Sequence, residues 1–127
     1  MRLRQVAQRA EDLDRAIEFY REVLGGDRIA RFEPPGLAFF DAGGVRLLLD
    51  AAAPSSLLYL SVSDVRTYVE ELRSRGVVIQ TEPHKIFVDT DGVFGEAGHA
   101  EWMAFFRDSE ENIVGLTSRH PAQRASP

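Results

Sequence analysis

Apolar positions in this chain switch between two spacings, and they make the same switch twice. Over residues 3–10 the side chains alternate as in a strand: Val6, Gln8 and Ala10 share one face, and Gln5, Ala7 and Arg9 the other. From Leu13 the spacing becomes helical, with Leu13, Ala16, Ile17 and Tyr20 on one stripe. Asp12 stands at the switch, where a carboxylate can accept from the unpaired N–H groups of a first helical turn. A shift of 52 residues carries Gln5–Gly25 onto Leu57–Val77: Asp12 falls on Asp64, Glu18 on Glu70 and Arg21 on Arg73, while Leu13, Ala16, Ile17 and Tyr20 fall on Val65, Tyr68, Val69 and Leu72. The chain is therefore read as one module used twice.

In order, the first module predicts a strand over 3–10, a helix over 13–24 stopped by Gly25-Gly26, and strands over 27–32, 37–41 and 45–49. Glu33–Gly36 and Ala42–Gly44 supply the turns between those strands. Residues 51–56, AAAPSS, have linker composition and form the seam, giving modules over 1–52 and 55–118 within a single domain spanning 1–127. The second module predicts a strand over 57–62, a helix over 65–75, and strands over 77–81, 101–107 and 112–117. Residues 84–100, rich in Gly and acids, read as a long insertion, either a binding loop or a plain surface bulge. Residues 119–127 read as a flexible tail.

Composition narrows the function classes. With 44% apolar residues the chain can bury a core. Twenty acidic against fifteen basic residues leave a formal charge of -5, and no basic block tracks a phosphate backbone, so nucleic acid is not an expected partner. The absence of cysteine excludes a disulfide scaffold, a thiolate metal site and a thiol nucleophile. No apolar leader or run of ~18 apolar residues is present, so a membrane is not expected either, and a cytoplasmic location is.

Three passages, VAQRAEDLDRAIEFYREVLGG, GLAFFDAGGVRLLLD and MAFFRDSEENIVGL, together resemble the vicinal oxygen chelate superfamily, which includes glyoxalases, bleomycin-resistance proteins and extradiol dioxygenases. The likeness covers residues 3–118. It implies an α+β fold in which two tandem βαβββ modules form a curled eight-stranded mixed sheet around a central cavity, helices outside, and it implies a homodimer. It also implies a divalent metal held from the first and last strand of each module. Those four positions map here to Gln5, Leu47, Leu57 and Gly115, and Gln5 alone carries a donor atom. The expectation is thus no metal, no cofactor, and a small apolar or aromatic organic molecule as ligand.

Two sets of residues carry candidate chemistry. The first is a cavity lining of Gln5, Arg9, Leu47, Leu57, Tyr59 and Gly115, with Trp102 and Met103 from the aromatic strand, whose inward face is left open. Its plainer reading is sheet packing without a ligand. The second set is His84, His99 and Glu101, candidates for general acid-base work or, in the alternative reading, substitute ligands for a metal-dependent lyase, epimerase or dioxygenase. Simple surface loop histidines are the plainer reading there. DTDG at 89–92 resembles the start of a calcium loop but lacks its later acidic positions. A non-catalytic structural or regulatory dimer is the third alternative.

Overall fold

A computed structural model describes residues 1–122. The element order is β1 (Gln5–Arg9), α1 (Leu13–Glu18), a π-helical turn (Phe19–Val23), β2 (Asp27–Phe32), β3 (Leu37–Ala42), β4 (Val45–Asp50), β5 (Leu58–Ser61), α2 (Val65–Ser74), β6 (Ile79–Asp89), β7 (His99–Arg107) and β8 (Ile113–Pro121). This is βαβββ twice. The strands form two four-stranded mixed sheets, ordered β1-β4-β3-β2 and β5-β8-β7-β6, each with one parallel pair at the β1 or β5 end. The chain divides into two compact units. The first holds residues 1–57 and the turn 108–112, and the second holds 58–107 and, of the described residues, 113–122.

In the first unit Asp12 caps α1 by accepting from the Arg15 N–H, the role its position predicts. The helix does not run as one α-helix to Leu24. Its last turn is π-helical, with Leu24 N–H reaching back five residues to Phe19 O, and Gly26 N–H closing on Tyr20 O at 2.8 Å. A Cβ at Gly26 would stand 2.9 Å from that same carbonyl, so glycine is what lets the chain turn back into β2. The core under the helix gathers Ala16, Ile17 and Tyr20 with Ala38, Phe40, Leu47 and Leu49, all buried. Gln8, fully buried among them, exchanges both amide groups with Ser56, which pins the seam to β1.

The turn 108–112 completes this unit. Tyr20 Oη donates to Asp108 Oδ2, and Asn112 Nδ2 donates both to that carboxylate and to Arg9 O. Glu110 receives Arg15 Nε at 2.7 Å and Asp12 N–H at 2.7 Å. Burial pushes the Glu110 carboxyl up, but Arg15, the Asp12 amide and the Ser109 hydroxyl outweigh it and hold the group below the usual carboxylate range.

In the second unit Asp64 caps α2 through the Arg66 N–H, and Val65, Val69 and Leu72 bury the helix against Ala104, Phe106, Val114 and Leu116. Here the strands are longer than expected. β6 continues to Asp89 and β7 begins at His99, so the insertion shrinks to residues 90–98 and both His84 and His99 lie on strands. β8 runs to Pro121, which makes Arg119 and His120 sheet residues. The expected tail is thus partly strand, and its last residues, 123–127, lie outside the described residues.

Candidate functional site

Strand register decides which side chains share a face. In the first sheet β1 pairs parallel with β4, Gln5 opposite Arg46, Ala7 opposite Leu48 and Arg9 opposite Asp50. Leu47 and Leu49 therefore pair with Val6 and Gln8 on the helix side, where both are buried. This corrects the expected lining: Leu47 packs under α1, and the side chain sharing the open face with Gln5 is Arg46. Arg46 Nε donates to Gln5 Oε1 at 3.0 Å. Around this pair Ile29, Ala30, Phe32 and Phe39 line a depression of about 390 Å³ on the first sheet, with the Phe32 and Phe39 rings edge to face at 5.9 Å. Arg9 is not part of it. Its guanidinium donates to Glu110 O and to Glu11, so the inward cation expected to anchor a ligand is committed to the 108–112 turn.

In the second sheet Tyr59 pairs with Gly115, and Gly115 with Phe105. A Cβ at Gly115 would meet the Tyr59 ring at 2.8 Å and the Phe105 ring at 3.0 Å; the two rings sit edge to face at 5.8 Å over the bare backbone. Met103 and Phe105 share this face, whereas Trp102 pairs with Ser118 on the α2 side and is stacked by Arg66, its guanidinium carbon 5.2 Å from the ring centre. The open question of the aromatic strand is thereby answered, and Trp102 leaves the expected lining. Leu57 precedes β5, belongs to the first unit and is half exposed.

The four positions implied for a metal do not fit a divalent cation. Gln5 offers an amide oxygen already taken by a guanidinium, Leu47 is buried, Leu57 has no donor, and Gly115 has no side chain. The substitute set is not brought together either. His84 Nδ1 meets Glu82 O, His99 faces Glu96 at 3.8 Å, and Glu101 receives Thr117 and Arg119. His84 pairs with Met103 and Glu101 with Phe87, three residues further along β6, or roughly 10 Å. Among the described residues no group of three or more His, Asp or Glu converges as a metal set would. Asp89 is structural as well: it accepts from Phe94 N–H and Val93 N–H and pairs with Arg119, contacts that hold its carboxyl below the usual range and fix the 90–98 loop.

A family profile described as the glyoxalase/bleomycin resistance protein/dioxygenase superfamily matches residues 2–116. The chain belongs to this superfamily. Within it, solved structures of similar fold include UcmS2 (23% identity, 92% of this chain and 97% of that one, TM-score 0.71). They include TnmS3, an antibiotic binding protein from Streptomyces sp. CB03234 (22% identity, 94% and 97%, TM-score 0.67). A lactoylglutathione lyase from Agrobacterium tumefaciens is similar at 21% identity, 92% of each chain and TM-score 0.64. No curated protein sequence matches significantly. Proteins that share this chain's fold thus include both a lyase and an antibiotic binder, so its function rests on its own side chains. Arg46, Phe32 and Phe39 are the candidate residues that sequence reasoning passed over; only the pairing of β4 with β1 distinguishes Arg46 from its leucine neighbours.

Proposed function

We propose that the protein binds a small organic molecule with an aromatic or apolar body and one anionic or carbonyl end, without a metal, on the open face of the first sheet. The observation that carries this reading is the Gln5–Arg46 pair beside Phe32 and Phe39. Gln5 fixes the guanidinium through Nε, and both terminal nitrogens are without a partner among the described residues. A planar fork held in this way suits a carboxylate, while the rings offer an apolar floor. A guanidinium is also the wrong neighbour for a divalent cation. None of the side chains lining the depression can serve as general base or nucleophile near neutral pH, which favours binding over turnover. The antibiotic-binding neighbour is consistent with such a role. In the homodimer that the resemblance implies, the half-exposed Tyr59 of the second sheet is apolar surface that a second copy would cover.

Calorimetric titration with 2-naphthoate tests the reading. Saturable binding is expected, about tenfold weaker or worse in Arg46→Gln, with the melting temperature unchanged. Binding that ignores Arg46→Gln would sink the site assignment. Stoichiometric Zn, Ni, Mn or Fe surviving dialysis, together with a melting temperature that falls on chelation, would sink the metal-free reading.

A further inference from the structure

The strands of the second sheet outrun the helix that covers them. α2 starts at Val65, whose N–H donates to Ser118 Oγ, and beyond that row β7 and β8 continue to Ala100 and His120, past the start of α2. The result is a cleft of about 520 Å³ on the α2 side of the sheet, a different face from the Tyr59–Gly115–Phe105 cluster. Its lining includes Arg66, Lys85, Trp102 and His120, with Ala100 and Pro121 giving it depth.

The lining holds two cations, Arg66 and Lys85, and the His120 imidazole, and no carboxylate. In a chain of net charge -5, the only lysine, Lys85, comes to this place, and no carboxylate among the described residues pairs with it. Lys85 lies opposite Trp102, and Trp102 opposite Ser118, in one row across three strands. Asp64 is an acid that faces the group: it takes Arg66 Nε and Nη2 at 3.1 and 3.2 Å, which fixes the guanidinium over Trp102 and leaves Nη1 without a partner among the described residues. The His120 ring is held by Nε2 against Ser118 Oγ at 2.8 Å. Two cations and an imidazole, two of them oriented by fixed partners beside an indole, form an arrangement for oxyanions on a compact organic body.

We propose that this cleft is a second binding site, for a small organic anion bearing a carboxylate or phosphate, gripped by Arg66, Lys85 and His120 beside Trp102. It is independent of the Gln5–Arg46 face. Trp102 is the only tryptophan in the chain, so its emission reports on the cleft. Titrating the full chain with phenyl phosphate, benzoate and inorganic phosphate is expected to give a saturable emission change with at least one of them. The change should weaken about tenfold or more in Lys85→Gln and in Arg66→Gln, both at exposed positions. The order of the three affinities tells carboxylate from phosphate recognition, and benzyl alcohol, which is neutral, should leave the emission unchanged. No saturable change with any of the three anions up to about 10 mM, or equal affinities in both variants and the parent protein, overturns the proposal.

Discussion

The Tyr20 hydroxyl donates to Asp108 Oδ2 at 2.6 Å inside the first unit, joining the π-helical turn to residues that come 88 positions later. Removing the hydroxyl leaves a buried carboxylate oxygen with one donor fewer, from Asn112. Tyr20→Phe should therefore destabilise the protein by about 1–3 kcal/mol in urea unfolding, more than a surface Tyr→Phe change would.

The same pair makes an alkaline prediction. Burial, and after it the charge of Asp108, raises the Tyr20 phenol well above its ordinary range. A raised folded value means that the stabilisation is complete below the unfolded value, near pH 10, and declines as pH rises beyond it. Stability should fall above about pH 10, and Tyr20→Phe should show a shallower decline.

At the acid end, beside Asp64 and Asp89, a contributing carboxylate is Glu110. Its folded value is depressed, so its contribution is full above the unfolded value, about pH 4.3, and is lost as pH falls below that. Glu110→Gln should flatten this limb of the stability profile. Arg15→Ala should lower stability at neutral pH, by less than the loss of a fully buried pair would, because the Arg15 side chain is half exposed while Glu110 is fully covered.

Two glycines separate strain against backbone from strain against a movable ring. Gly26→Ala drives a methyl to 2.9 Å from Tyr20 O, part of the chain's own turn, and should cost about 2–3 kcal/mol. Gly115→Ala meets Tyr59 and Phe105, and Tyr59 is 50% exposed and free to swing, so about 1 kcal/mol is expected. Thermal or urea unfolding of both variants checks the order, and the reverse order would refute the argument.

Arg119 holds the 90–98 loop by bonding Asp89 and Glu96 O while also reaching Glu101. Arg119→Gln should speed amide exchange at Val93 and Phe94, whose N–H groups rest on the Asp89 carboxylate, with little change in exchange within α2.

The repeated Asp, its helical stripe and the Gly-punctuated turns made both βαβββ units legible, since each feature is a local rule obeyed locally. Residues 82–89 were not legible because Glu82, Pro83, His84 and Lys85 have the composition of a loop. β6 is the edge of its sheet, where an exposed strand tolerates proline and polar side chains. The polar end of β8 misled for a similar reason: Arg119 and His120 read as a tail until β7 pairs with them. The facing of Leu47 was hidden in a run of three leucines, which carries no alternation, so pairing with β1 alone sets it. That single slip moved Arg46 onto the candidate site.

The bare backbone at Gly115 limits what can stand there. Because two rings close over it, a larger side chain there, Asp, Glu or His included, would first have to push the Tyr59 ring aside before it had room to turn. The face around Gly115 is thus shaped by the two rings and not by residue 115 itself, and any side chain placed there inherits their outline.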